Sequence, residues 1–421
     1  MSIRKNAGIL ADQKLWTRDF TILTLGSVIS NLGNVITGFA MALLVLEFTG
    51  STFLYSLFMA ANMLPQIIVP LFAGPFLDRF SRRKAIYTLD FISTGMFAVF
   101  SVVIGLGFLN YPVIIVCCLM LGIMNSIYTV AYESFYPMLV SKGNYSKAYS
   151  ISSTLTTLTT VMTPVSAFLY NLVGIVPLLV LDAVSFFIAA CFETRIKAKE
   201  DYTLLRKDEI YGFKKYKRDF VEGLKYIKTE RALAAVTAYF FVNFIAQAVY
   251  DILMLPYFKG TYPVNGEYIF MLVTAFCIAG RAIGGVVHYK IKIKPSIKYA
   301  LSIAVYVTIC VINSFILFTP IIVMQILIFI VGFIGVTSYN IRISATQSYV
   351  PDEKKARFNG FFSMTTTCGT LIGNLLGGAI SEFLPVKAVI IIFMSFNLIV
   401  GVFLIMLPNK RYVKELYNKA L

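Results

Sequence analysis

The sequence predicts an all-α integral membrane protein: twelve transmembrane helices arranged as two pseudo-symmetric six-helix bundles. Three observations lead there. Of 421 residues, 58% are hydrophobic and only 14% charged, more apolar surface than a water-soluble domain can bury. The apolar residues gather in twelve runs, most of them 20 to 28 residues long, enough at about 1.5 Å per residue to cross a hydrocarbon core of about 30 Å. The basic residues collect in alternate connections between those runs, as the positive-inside rule requires of a chain with both termini in the cytoplasm.

In order, the runs fall at 20–46, 52–77, 85–108, 112–138, 147–171, 173–193, 232–258, 266–289, 296–318, 320–341, 357–383 and 386–407. The fifth is the most polar, crowded with Ser and Thr. Of the 37 Lys and Arg, 34 lie before the first run, in alternate connections or in the tail, whereas the opposite side carries only Lys259 and Lys387, and Arg281 lies inside a run. A net charge of +16 would suit a nucleic-acid binder, but this placement excludes that reading and matches an anionic inner leaflet instead. The first 18 residues are charged and the run behind them is long, so it is expected to stay as a signal anchor. All six cysteines sit in apolar runs without metal-site spacing and read as packing residues.

Shifting the chain by 210 residues aligns Gly74 with Gly284, Lys84 with Lys294, Gly122 with Gly332, Val140 with Val350, and Ser185-Phe186 with Ser395-Phe396. The boundaries of the runs keep the same offset, which marks an internal duplication. The domains expected are a six-helix bundle over 1–193, a cytoplasmic linker over 194–231, a second bundle over 232–407 and a cytoplasmic tail over 408–421. The linker holds 12 basic residues, and its end, Asp219 to Arg231, has the apolar spacing of an interfacial helix.

Polar side chains inside the runs are costly and point toward partner helices or a watery pathway. Ser27, Asn31, Asn34 and Gly38 share one face of the first run, and Asn243, Gln247 and Asp251 share one face of the seventh. Because these runs are equivalent under the duplication, their polar faces are expected to meet across one cavity. Asn62 and Gln66 in the second run, Thr274 and Arg281 in the eighth, and Asn359, Ser363, Thr370 and Asn374 in the eleventh extend the set. For any single Asn or Thr, hydrogen bonding between helices is the readier account, and it is the set that points to a pathway. Among ionisable residues, Asp182, Asp251 and Arg281 lie well inside runs. A buried acid there either carries a proton or simply locks helices through an Asp–Arg pair, and the sequence leaves both open. Glu47, Glu267 and Glu382 sit at outer ends, where solvation explains them.

The connection after the second run reads Gly74-Pro75-Phe76-Leu77-Asp78-Arg79-Phe80-Ser81-Arg82-Arg83-Lys84. It resembles the major facilitator superfamily signature between helices two and three, G-x-x-x-D-R-x-G-R-R/K, with Ser81 in place of the second glycine. The resemblance implies a cytoplasmic gate in which Gly74, Asp78, Arg79 and Arg82 latch against Asp90 and Glu133. In the second half the motif decays to Gly284-Gly285-Val286-Val287-His288-Tyr289-Lys290, with the only His in the chain at the Asp position. Trp16-Thr17-Arg18-Asp19-Phe20, Ser30-Asn31-Leu32-Gly33-Asn34, Tyr136-Pro137-Met138-Leu139-Val140 and the stretch from Ser344 to Arg357 together look like the macrolide-efflux and enterobactin-exporter branch of that superfamily. That branch exports amphipathic compounds, usually by proton antiport.

The sequence departs from the branch at three places: Asn34 stands where an acid is frequent, the fourth run has no Arg, and Thr163-Pro164 replaces Gly-Pro. Proton coupling, if it operates, therefore falls to Asp182, Asp251, Glu133 or Asp90. The resemblance implies export of an amphipathic small molecule from a bacterial plasma membrane by a monomer, with protons and membrane lipids as partners and no cofactor, metal or nucleic acid. Two alternatives stay open: a lipid or siderophore carrier of the same fold, and a receptor that keeps the fold without transporting. No zinc spacing supports a membrane enzyme, and no G-x-x-x-x-G-K-[ST] motif supports ATP as the fuel.

Overall fold

The computed structural model describes residues 15–70, 81–141, 148, 151, 162, 165–198, 221, 225, 227–290, 293–407 and 409–418. The side chains of 288–290, Gln347 and 352–357 are outside that description. Twelve helices organise the described residues: α1 (Arg18–Thr49), α2 (Thr52–Ile68), α3 (Arg82–Gly105), α4 (Tyr111–Leu139), α5 (Ile175–Glu193), α6 (Arg231–Thr261), α7 (Gly266–Lys290), α8 (Lys298–Phe315), α9 (Ile321–Tyr349), α10 (Asp352–Ser381), α11 (Val386–Gly401) and the short α12 (Lys410–Asn418). Residues 165–173 are also helical. Nine of the described helices are long and apolar enough to cross a membrane. The shorter α2 and the more polar α10 are not among those nine, and most of the predicted fifth run, 147–171, lies outside the described residues. The linker 194–231 is likewise mostly outside them.

Local chemistry explains where helices begin. Asn110 caps α4, its side chain accepting from the Val113 N–H at 3.0 Å, with Pro112 in the first turn where its missing N–H costs nothing. Ser81 caps α3 by accepting from the Lys84 N–H at 3.1 Å, so the serine that departs from the family signature has a structural task. Gly50, between α1 and α2, turns the chain with φ +61°, a conformation that costs glycine little.

Large apolar side chains face outward along the helices: Val99 is 58% exposed, Val286 58% and Ile322 72%. Facing water, such surfaces would be an aggregation hazard; facing lipid, they are at home.

The chain divides into two compact units, Met1–Glu47 with Ala61–Phe213, and Phe48–Ala60 with Lys214–Leu421. In the first, α3 packs along α5, and Phe97 stacks on Phe186 at 5.5 Å between ring centroids. In the second, α7 packs along α9 and α6 along α10. The second unit also takes the start of α2: the Glu382 carboxylate accepts from the Ser51 hydroxyl at 2.8 Å and from the Phe53 N–H at 3.0 Å. The last helix, α12, buries Val413, Leu416 and Tyr417 against the core of that unit.

Candidate functional site

In the first unit the polar stripe of α1 faces α3, α4 and α5. Asn31 donates back to the Ser27 carbonyl at 2.7 Å, and Asn31, Asn34, Asp90, Asn125 and Tyr128 line a cavity of about 30 Å³, the size of one water molecule. Below it, Asp90 of α3 and Glu193, the last residue of α5, are both fully buried and lie within hydrogen-bonding reach of each other, with the Tyr128 hydroxyl as a neighbour. None of the four carboxyl oxygens receives a bond from a fixed donor among the described residues. Asp182, also fully buried, accepts from the Ser185 hydroxyl at 3.1 Å and packs where Gly33 of α1 leaves room for it.

The remaining predicted residues of this unit are spread out. Asn62 of α2 points to the Cys118 sulfur of α4 at 3.6 Å, Gln66 is exposed, and Glu133 is exposed on α4. Of the gate motif, Gly74, Asp78 and Arg79 lie outside the described residues. Arg82 reaches α4, donating to the Ser134 carbonyl at 3.1 Å, and Arg83 donates to the Ile196 carbonyl at 2.6 Å. The structure thus brings Asp90 together with Glu193, deep between helices.

The second unit holds the larger cavity, about 300 Å³. Asn243, Gln247 and Asp251 descend one wall from α6, and Gln247 donates to Asp251 at 3.0 Å. Arg281 of α7 lines the cavity as the electrostatic neighbour of Asp251. From α9 come Ser338, Tyr339 and Arg342, and from α8 Tyr306, whose hydroxyl pairs with that of Tyr417 at 2.9 Å. Phe240, Phe244, Ile309, Ile328 and Val331 supply apolar wall. Asn374 is buried in α10 and is not part of this lining. The side chain of His288 lies outside the described residues.

Two functional candidates escape sequence reasoning. Ending the tenth run at 341 puts Arg342 in a basic cytoplasmic loop, but α9 continues to Tyr349 and Arg342 is buried on the cavity wall. The correction has a physical cause: hydropathy marks where a helix leaves hydrocarbon, whereas the helix itself runs on. The signal was present in Gly335, Ser338 and Arg342, small or polar residues three and four apart on one face. Glu193 sits at the edge of its run, and nothing in the sequence links it to Asp90.

A cavity lined by polar and charged groups together with aromatic and aliphatic ones is fit to hold an amphipathic small molecule. The described residues contain no cluster of His, Cys, Asp and Glu that would hold a metal ion. Comparison with known proteins agrees with a carrier. The uncharacterized MFS-type transporter YkuC of Bacillus subtilis is 25% identical over 287 residues, 65% of this chain and 66% of that protein. Macrolide efflux protein A of Streptococcus pyogenes is 23% identical over 277 residues, 64% of this chain and 66% of its own length. The chain therefore matches just under two thirds of the length of these relatives. Among solved structures, a bacterial homologue of the iron transporter ferroportin in an inward-facing state has TM-score 0.65 at 14% identity, covering 97% of this chain and 100% of that one. The nucleoside transporter NupG has TM-score 0.66 at 10% identity, covering 91% and 98%. At such identities these structures speak to fold alone. The profile of the Major Facilitator Superfamily matches residues 23–349 and 303–419, and with apolar helices, gate motif and fold in agreement, the chain belongs to that superfamily of membrane transporters.

Proposed function

We propose that the protein is a secondary active transporter that exports an amphipathic small molecule from the cytoplasm by alternating access, in exchange for protons. The observation that carries this reading is the cavity of about 300 Å³ in the second unit, lined by both charged and apolar side chains inside a bundle of apolar helices. Its size suits a drug-like fragment better than an ion alone. The likeness to macrolide efflux protein A supports the outward direction.

For the protons, the buried carboxyls are the groups to test. Asp90 and Glu193 are carboxyl groups side by side, and among the described residues their oxygens have no fixed donor; an exchangeable proton between them would relieve the repulsion of two ionised acids. Asp182 holds one oxygen on Ser185 at 3.1 Å, its other oxygen makes no hydrogen bond of full geometry among the described residues, and the Thr37 hydroxyl is a neighbour. Asp251 faces the cavity beside Arg281. Glu133, exposed on α4, is the weaker member of the set.

Reconstituted protein given an imposed pH gradient and a radiolabelled amphipathic compound chosen by a ligand-stability screen provides the test. Counterflow, which needs only exchange, should survive in Asp90→Asn, Asp182→Asn and Asp251→Asn, whereas gradient-driven accumulation should collapse in at least one of them. Full accumulation in all three would remove proton coupling through these groups. Binding without counterflow would instead identify a receptor that keeps the fold.

A further inference from the structure

Arg342 is 9% exposed on the wall of the large cavity. Its guanidinium carbon lies 4.5 Å from the ring centroid of Phe362, 5.1 Å from that of Phe240 and 5.5 Å from that of Tyr339. Among the described residues its guanidinium makes no ion pair and no hydrogen bond, and its electrostatic neighbours are the neutral hydroxyls of Tyr306, Tyr339 and Tyr417. An arginine does not shed its proton at any physiological pH. Ring faces attract its charge but satisfy none of its five N–H donors, which lie in one plane and suit a two-oxygen acceptor. Burying such a cation unpaired is costly, and its nitrogens open onto the cavity instead of closed protein, where an anion from elsewhere can meet them.

The cavity as a whole has the same bias. Arg281 and Arg342 bring two fixed positive charges to its lining, and Asp251, beside Arg281, is the single carboxylate among the lining residues. The Arg342 end holds aromatic rings and no acid. At about 300 Å³, the space is some ten times what one water occupies, too large for a halide alone, and Phe244, Ile309 and Ile328 give it apolar wall.

We propose that Arg342 is the anion-recognition residue of this cavity, and that the molecule carried has an acidic group, a carboxylate, sulfonate or phosphate, attached to an aromatic or aliphatic body. The proposal rests on the transport reading and names the substrate class of that same site. The acid would lie against the Arg342 N–H edge while the body packs on Phe240 and the aliphatic wall.

The probes are 2-naphthoate, 1-naphthyl phosphate, the neutral 2-naphthol and the cationic naphthylmethylamine, with short-chain phosphatidylglycerol and phosphatidylcholine as lipid arms. Binding to purified protein is read by thermal stabilisation and titration. The acids should bind at least about tenfold tighter than the neutral and cationic probes, the worth of one charge-assisted hydrogen-bonded pair. In Arg342→Gln that ratio should fall to about one, and Arg342→Lys, which keeps charge and bulk, should retain part of it and shows that the site tolerates substitution. Preference for naphthyl phosphate places the acid on a soluble molecule, and preference for phosphatidylglycerol alone places it on a lipid headgroup; either supports the anion site. Equal binding of acids and neutral probes, no acid bound up to millimolar concentration, or an unchanged ratio in Arg342→Gln overturns it. Counterflow separates the two readings. Acids that bind but do not exchange overturn transport and leave the anion site standing, whereas exchange of the acids at undiminished rate in Arg342→Gln overturns the anion site and leaves transport.

Discussion

Gly33 shows how one missing side chain can position another. It stands on α1 where an added Cβ would collide with the Asp182 carboxylate and come within 2.6 Å of the Ser185 hydroxyl, so the buried acid exists at the expense of a methyl group on its neighbour. Gly33→Ala should lower stability by about 1–3 kcal/mol, the usual cost of overpacking a close contact. Thermal unfolding in detergent checks it, and Gly33→Ala combined with Asp182→Ala should recover part of the loss. Ser81→Ala should cost about 1 kcal/mol by removing the cap of α3, read in the same assay. At this scale the sequence is a partial guide. Asp182, Asp251 and Arg281 stand out because an ionisable residue inside an apolar run is rare, and Asn31, Asn34, Asn243 and Gln247 because they recur on one face. Glu193 does not stand out, because its position at the end of a run makes it look solvated. Only the packing of α3 on α5 brings it beside Asp90.

At the scale of helices, crossings are set by small residues. On α7 and α9, a Cβ at Gly280 would meet the Phe329 carbonyl, one at Gly284 the Phe333 carbonyl at 2.8 Å, and one at Gly332 the Cys277 carbonyl. The first unit has an equivalent crossing, where Gly122 of α4 faces Pro65 at 3.0 Å and the Asn62 carbonyl at 3.2 Å on α2. Gly122 and Gly332 are the pair aligned by the shift of 210 residues, so the duplication seen in sequence reappears as one helix contact made twice. Leucine at either position should prevent the helices from closing, with loss of a monodisperse peak in size-exclusion chromatography. Alanine should be milder at Gly122, whose nearest neighbour is a proline side chain, than at Gly332, whose neighbours are backbone. Helix α12 contributes by hydrogen bonding: Tyr417→Phe removes the pairing with Tyr306 and should cost about 0.5–1.5 kcal/mol. Hydropathy located most helices to within a few residues but misjudged ends that extend past the hydrocarbon, as at the end of α9, Tyr349, and the start of α10, Asp352, which lie outside the runs 320–341 and 357–383.

For the molecule as a whole, composition and charge asymmetry were enough to read a helical membrane protein with an internal repeat, because lipid solvation restricts the backbone to few solutions. They were not enough to read the cavity, which depends on side chains from α6, α7, α8 and α9 converging in space. The asymmetry also makes a topological prediction. With the native cysteines replaced, Val264→Cys in the turn between α6 and α7 should react with an impermeant maleimide in intact cells, and Thr194→Cys, after α5, only once the membrane is opened; the reverse pattern would invert the orientation. A last consequence follows from Arg342, a permanent cation on the cavity wall with no carboxylate beside it among the described residues. In the exchange cycle proposed above, the return step without the acidic passenger would carry that charge uncancelled, and one elementary charge crossing the full membrane voltage is worth about 2.3 kcal/mol per 100 mV. That step would therefore feel the resting potential in proportion to the fraction of the field that this side chain crosses, so the exchange rate is expected to depend on voltage.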